Sequence, residues 1–590
     1  MCKTIAAHNA VPPPIISFEG FTFCYRAQTE PTIKDINLKI YPGQKVLIAG
    51  PSGSGKSTLA HCINGLIPFN YPGEARGSCM VGGAETKDQN IFKLSKLVGT
   101  VLQDTDGQFV GLSAGEDIAF ALENDYTPPE SMRARVADAA NVVGIGGMLD
   151  ATPHKLSGGQ KQRVSMAGIL VNKVEVLVFD EPLANLDPAT GKTAIELIDK
   201  LHKETNATII IIEHRLEDVL HRPVDRIVVM EHGCITADDT PEVVICSGVL
   251  ERAGIRQPLY VSAMKYAGVE VSPQKRPDHI DSLLLPPDDI ALVHRWCDGG
   301  CVPEEDASPI QEILRLEDVC FDYPKEAGGA RIERLGFSVG QGEMAAIVGH
   351  NGAGKSTVAK LICGFETPQK GRILLRGQDI TTTSMARRGA SIGYVMQNPN
   401  QMLIKPFVAE EVALGLRLRG VAETQVQDRV NETLKTCGLY PFRNWPVSAL
   451  SYGQKKRVTI ASVLVLAPDI IILDEPTAGQ DYRHYTEIME FLRDLNKGGI
   501  TVLLITHDMH LMLEYAPRVI VIHEGRLLAD TSSAQLLCDP KLTARASLKE
   551  TSLFYMAQAC GMGDTTAVAR RFVRHERDVA RIGRVFPKNP

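Results

Sequence analysis

The chain has 590 residues, 44% of them hydrophobic and 23% charged, with a formal net charge of -7. That length exceeds what one hydrophobic core organises, so several domains are expected. The acidic balance argues against wholesale nucleic-acid binding, and no apolar run reaches the roughly 18 to 20 residues that cross a bilayer, so the chain is not expected to be a channel itself.

Residues 1–15 end in Pro12-Pro13-Pro14 and read as a disordered lead-in without the apolar core of a secretion signal, so a cytoplasmic chain is expected. Ile16–Tyr25 alternates like an edge strand, and Ile36–Ile40 alternates again before a Pro-Gly turn. Lys45–Ala49 reads as a buried strand running into Gly50-Pro51-Ser52-Gly53-Ser54-Gly55-Lys56-Ser57-Thr58. This is a complete P-loop: its glycines let backbone N–H groups curl around phosphates, Lys56 reaches the terminal ones, and the Ser57 hydroxyl can ligate magnesium.

An apolar strand over 97–102 then leads to Gln103, and residues 116–150 read as a charged helical insertion. Leu156-Ser157-Gly158-Gly159-Gln160 opens an amphipathic helix, and the apolar strand 174–179 ends in Asp180-Glu181-Pro182. A Gly-rich turn at a helix start suits a phosphate, and paired carboxylates at a strand end suit a metal. Thr208–Ile212 is a further strand, with His214 just beyond it.

The stretch 246–312 is rich in Pro, Asp and Glu and reads as an acidic linker with a small irregular element; residues 251–312 hold eleven acidic and six basic side chains. Its Cys297 and Cys301, near His294, fall short of the four ligands of a structural zinc and read as incidental. The thirteen cysteines of the chain are scattered through core positions, as reduced thiols would be.

From residue 313 the pattern repeats. The second P-loop is Gly349-His350-Asn351-Gly352-Ala353-Gly354-Lys355-Ser356-Thr357, followed by Gln397, the turn Ser451-Tyr452-Gly453-Gln454, the pair Asp474-Glu475 and His507. Lys56 to Lys355 is an offset of 299, whereas Gln103 to Gln397, Ser157 to Ser451 and Asp180 to Asp474 are all 294, so one five-residue length difference separates two true copies. The tail 541–590 carries ten Lys or Arg against four Asp or Glu and reads as a solvated basic helix with a frayed end.

With both motif sets in view, the chain resembles two ATP-binding cassette (ABC) ATPase domains fused head to tail. The resemblance implies an α/β fold of two tandem P-loop NTPase domains, over 16–245 and 313–540, each with a mixed β core and a helical subdomain. It implies ATP hydrolysis with magnesium, and pairing of the two cassettes within the chain so that each ATP lies between one P-loop and the other signature turn. One site then takes Gly50, Gly53, Gly55, Lys56, Ser57, Thr58, Gln103, Asp180, Glu181 and His214 with Ser451, Gly453 and Gln454. The other takes Gly349, Asn351, Gly352, Gly354, Lys355, Ser356, Thr357, Gln397, Asp474, Glu475 and His507 with Ser157, Gly158, Gly159 and Gln160. Glu181 and Glu475 would activate the attacking water, and His214 and His507 would set the γ-phosphate geometry. Magnesium would be held by Ser57, Gln103 and Asp180, and by Ser356, Gln397 and Asp474. Tyr25 and Tyr323 match the adenine-stacking aromatic of the family. Tyr452, where the family has glycine, is a departure that predicts unequal sites.

Asn398-Pro399-Asn400-Gln401 with Glu410-Glu411, Asp104 to Gln108 with Glu116-Asp117, and Glu213-His214-Arg215 are together similar to the fused ATPase subunits of energy-coupling factor (ECF) importers. That resemblance implies a membrane-embedded T-type coupling subunit, a small S-subunit that captures a vitamin, vitamin precursor or metal ion, and a peripheral place on the cytoplasmic face of the membrane. The acidic pairs 116–117 and 410–411 are expected to receive arginines of coupling helices, or to serve as helix N-terminal acids that favour the helix dipole, or both. The alternatives are the ATPase of a sugar-type ABC importer and a soluble twin-cassette ATPase acting on ribosomes or nucleic acid; the acidic linker disfavours the last, and no nucleic-acid partner is expected.

Overall fold

A computed structural model describes residues 12–102, 106–184, 186–299, 311–324, 331–477 and 480–585. Gln103, Cys301 and the lead-in up to residue 11 therefore lie outside the described residues. The chain divides into two compact units, 1–186 with 190–261 and 271–284, and 187–189 with 262–270 and 285–590.

In the first unit the strand runs Lys45–Ala49, Val176–Asp180 and Thr208–Ile212 are buried at every residue. Such continuous apolar, β-branched segments suit a parallel sheet covered on both faces. They join Val98–Val101 and Arg226–Glu231 in a parallel array, with Cys234–Asp239 antiparallel at one edge. The ends of these strands carry the P-loop, Asp180 and His214 to one side of the sheet. Sites in open α/β sheets lie at that carboxyl edge.

A second, antiparallel sheet orders Ile33–Ile40, Ile16–Tyr25, Gly73–Val81 and Ala84–Glu85. Ile16–Tyr25 is thus interior, paired on both sides, and not the edge strand its alternation suggests. The register shifts on both sides near Gly20, at φ +56, exposing Glu19 and Gly20 while the apolar face stays in the core. A bulge thereby imitates edge-strand polarity in the sequence. The charged insertion is helical as expected: Ala114–Asn124 and Pro129–Val142 pack beside Gly158–Leu170.

The second unit repeats both sheets. Ile392–Val395, Ile470–Asp474, Thr501–Ile505, Met344–Val348 and Arg518–His523 are parallel, and Arg526–Ser532 is the antiparallel edge. Its helical subdomain has its own core, in which Val412, Leu416, Val430, Leu434 and Val458 of three helices meet.

Through residue 299 the segment read as an acidic linker is folded. Leu259–Tyr266 is a helix with Leu259, Val261, Ala263 and Met264 buried, and Pro287–Asp298 is another that buries Val293 and Trp296. Composition misleads here because Pro287 sits at the start of the helix and Asp288 and Asp289 lie in its first turn, where the dipole favours acids. The tail also packs more than a solvated basic helix would: Ser552–Ala559 buries Leu553, Phe554 and Met556, and Ala567–Val585 buries Val568, Ala569 and Phe572.

Linker and tail residues meet within the second unit. The Tyr266 ring stacks on His575 at 4.1 Å and its hydroxyl donates to Glu576 Oε1 at 2.6 Å, while Arg571 lies over the Trp296 ring. Burial, helped by Arg571 and opposed by Glu576 and Asp578, holds His575 below the ordinary imidazole range. The unfolded chain therefore binds this proton more readily, and the stability His575 confers is present above pH 6.5 and lost as pH falls through its depressed folded value. In a W445F background, urea unfolding followed by Trp296 fluorescence should show a midpoint that drops on acidification, and H575F should flatten that dependence.

Candidate nucleotide sites

Each P-loop is built by its glycines. A Cβ at Gly50 would lie 2.4 Å from the Met230 carbonyl, and one at Gly349 would lie 2.1 Å from that of Ile522, so backbone approaches backbone where only glycine fits. Gly55 and Gly354 are left-handed N-caps, at φ 98 and 106, of the helices Lys56–Ile63 and Lys355–Cys363. Neither contributes a side-chain cap, so the helix N-termini present N–H groups to an anion. The Lys56 ammonium donates to the carbonyls of Gly50 and Pro51, both at 2.8 Å, and Lys355 to those of Gly349 and His350 at 2.9 and 3.0 Å. Inside the first loop the buried Ser54 hydroxyl has no hydrogen-bond partner, which leaves a donor for a phosphate.

Ser57 Oγ lies 3.4 Å from Asp180 Oδ1, and the Ser356 hydroxyl bonds Asp474 in the same way. Burial first, then Glu181, pushes the Asp180 carboxyl up to about 6, against Ser57 and Lys56. Burial likewise raises Glu181 and Asp474. A hydroxyl and crowded carboxylates make an all-oxygen donor set with surplus negative charge, which fits a magnesium ion. Gln397 is exposed at the end of its strand.

Glu181 and Glu475 both adopt the left-handed backbone region, at φ 47 and 46, with their N–H groups held by the carbonyls of Ile212 and Ile505 at 2.9 Å. Non-glycine residues sit there at a cost, and such strain concentrates at functional positions. The two copies then diverge. His507 Nδ1 is 2.7 Å from Glu475 Oε1, whereas His214 Nδ1 is 4.0 Å from Glu181 and 3.2 Å from Glu213 Oε1. Glu213, fully buried, also accepts the N–H groups of His214 and Arg215. The second copy has Thr506 there, so it has no rival carboxylate at that position.

Ser157 and Gln160 form a reciprocal capping box on the helix Gly158–Leu170, as Ser451 and Gln454 do on Tyr452–Leu464. Both glutamines, expected as phosphate contacts, thus hold the helix start in shape. The Tyr452 hydroxyl turns back to within 3.5 Å of the Gln397 carbonyl in its own unit. Tyr25 and Tyr323 are half-buried, edge-on to Phe23 and Phe321, and Tyr25 OH meets Thr58 Oγ1 at 3.1 Å. Among the described residues no cluster of three or more His, Cys, Asp or Glu could hold a metal ion, and His294 bonds the Cys560 carbonyl at 2.8 Å.

The acidic pairs lie in the first turns of the helices Ala114–Asn124 and Val408–Leu418. Asp117 Oδ1 accepts from the N–H groups of Val110 and Gly111, Glu116 from Leu112, and Glu411 Oε2 from Ile404 and Lys405. These carboxylates fold the loop ahead of each helix and leave apolar tips outward. Val110, Leu112 and Ile404 are 64%, 82% and 77% exposed. The donors these carboxylates meet are backbone N–H groups of the preceding loop, a pairing the sequence cannot reveal.

Two family descriptions match the chain: "ABC transporter" over residues 33–184 and 332–478, and "ATP-binding cassette cobalt transporter" over 247–321. A protein of Enterococcus faecalis named as an ABC transporter ATP-binding protein is 53% identical over 570 residues, covering 96% of this chain and 99% of its own. One of the same description from Clostridium perfringens is 53% identical over 563 residues, covering 95% and 98%. A solved structure, cbiO1 from Clostridium perfringens, described as part of the ABC transporter complex cbiONQ, is 33% identical over 40% of this chain and 96% of its own, with a TM-score of 0.37.

Proposed function

This chain belongs to the ABC transporter ATP-binding family and carries two of its ATPase domains, and on that premise we propose that it energises an ECF-type importer of a vitamin, vitamin precursor or metal ion. It binds ATP and is an ATPase; the proposal concerns what the ATPase drives. It sits on the cytoplasmic face of the membrane, held by a T-type coupling subunit that works with a small substrate-binding S-subunit. Among the described residues no helix is long and apolar enough to cross a membrane.

The observation that carries this reading is the pair of exposed apolar tips, Val110 with Leu112 and Ile404, placed in both copies just beyond the strand-end glutamine position. Solvent-exposed apolar side chains at the same place in two copies suit a partner that buries both. The match of residues 247–321 to a cobalt-transporter description supports a small nutrient or metal ion as cargo.

In each site the P-loop N–H groups and Lys56 or Lys355 bind and orient the polyphosphate. Magnesium, when bound by Ser57 and Asp180 or by Ser356 and Asp474, supplies charge neutralisation at the phosphates, with Gln103 and Gln397 completing its surroundings. Glu181 and Glu475 take the proton of the attacking water, and His214 and His507 position the γ-phosphate. The two domains pair within the chain, so that Ser157, Gly158 and Gly159 close the site of Lys355, and Ser451 and Gly453 that of Lys56. ATP-driven closure then moves the docked coupling helices, and hydrolysis releases them.

Affinity capture of the full chain from detergent-solubilised membranes is expected to recover a multi-spanning subunit with a small hydrophobic one, and L112D with I404D should lose both while ATP binding persists. Recovery of ribosomes or nucleic acid without a membrane protein would overturn the transport role.

A further inference from the structure

The two sites differ in what holds the buried aspartate at the end of the central strand. In the second unit the Tyr394 hydroxyl donates to Asp474 Oδ2 at 2.9 Å, while the Ser356 hydroxyl also bonds that carboxylate. Tyr394 is the third residue of Ile392–Val395 and pairs in register with Ile472, two residues before Asp474. Its ring packs on the core and meets Phe365 edge-on at 5.8 Å, so the phenol has little freedom to turn away. The matching position in the first unit, in register with Val178, is Thr100. That side chain is too short to span the same gap, and its Oγ1 accepts from Asn64 Nδ2 at 3.2 Å instead.

We propose that Tyr394 is a positioning residue for the magnesium site of the second copy, fixing Oδ2 of Asp474 so that the carboxylate is pre-set beside Ser356. The first copy lacks this hydroxyl and holds magnesium–nucleotide more weakly. A carboxylate ligand held by a hydrogen bond from outside does not have to be ordered when the ion arrives, and removing such partners costs metal sites about tenfold or more in affinity. The inference rests on the assignment of Asp474 as a magnesium ligand under the proposed function.

The test is equilibrium binding of a fluorescent, non-hydrolysable ATP analogue to the full chain carrying K56A, which confines high-affinity binding to the second site, in excess magnesium and in EDTA. Tyr394→Phe keeps the ring in its apolar seat and removes only the hydroxyl. It should weaken binding about tenfold in magnesium and leave binding in EDTA unchanged, which also shows the variant is folded. Equal losses in both media, or no loss in either, would overturn the role. Asp474→Asn in the same background separates the two readings. If it leaves the magnesium-dependent gain intact, the ligand assignment fails; if it abolishes that gain and Tyr394→Phe does not, this inference alone fails.

Discussion

Replacing both Glu181 and Glu475 with glutamine is expected to lower ATP turnover by about a thousandfold while leaving nucleotide binding nearly unchanged. A positioned general base contributes on the order of a hundred- to ten-thousandfold, and an amide of the same shape keeps packing while losing the proton acceptor. Both glutamates follow directly on the buried aspartate, both are held in the left-handed region by a strand carbonyl, and a histidine stands close to each. Burial raises Glu181, which brings a carboxylate nearer the basicity its task needs. The single variants should differ. Glu475 is locked to His507 at 2.7 Å, whereas Glu181 shares His214 with the nearer Glu213. Rapid-quench turnover on both singles and the double variant, with binding measured in parallel, checks this; undiminished turnover in the double variant would show the bases to be misassigned.

The parts of this protein that read cleanly from sequence are those whose chemistry is local. A P-loop is nine consecutive residues, and the strand before it is apolar throughout, so neither needs knowledge of distant contacts. The same holds for Asp180, Glu181 and their repeats, because strand, turn and carboxylates adjoin. What escaped depends on contacts between segments. Glu213 reads as one residue of a Glu-His-Arg motif, and only the fold shows its carboxylate 3.2 Å from His214 Nδ1, nearer than Glu181 at 4.0 Å. The alternation of Ile16–Tyr25 suggested an edge, because a bulge at Gly20 exposes two residues of an interior strand. The prolines and aspartates of 246–312 looked like linker because helix-start chemistry and disorder draw on the same residues. Tyr394 gave no signal, since an aromatic in an apolar strand is ordinary core.

Lys456 shows how a second element of the site depends on such contacts, and substituting it should have the largest effect on local stability. Its side chain is 1% exposed, and its ammonium donates to the carbonyls of Met396 and Gln397, both at 2.8 Å, tying the helix Tyr452–Leu464 to the loop that carries Gln397. Burial pulls this lysine down to about 8, with Asp474 and Glu475 pushing it back up. Gln162, at the matching place in the first copy, donates instead to the Pro182 carbonyl at 2.7 Å, beside Glu181. The two helices are therefore anchored to different parts of their own sites. Each charged hydrogen bond is worth about 1.5 to 3 kcal/mol, offset by the cost of burying the ammonium, so Lys456→Met should destabilise this junction by about 2 kcal/mol. By hydrogen exchange, that corresponds to roughly thirtyfold faster opening of the 396–402 and 450–458 segments together. Lys456→Arg should retain most of the protection, because a guanidinium can still reach both carbonyls. Lys456→Gln, which copies the first unit, should loosen the 396–402 loop as much as methionine does, since the neutral amide sits on a shorter stem than the ammonium that reaches both carbonyls. Faster exchange confined to 450–458, with 396–402 unchanged, would mean that Lys456 serves its own helix and does not hold the loop.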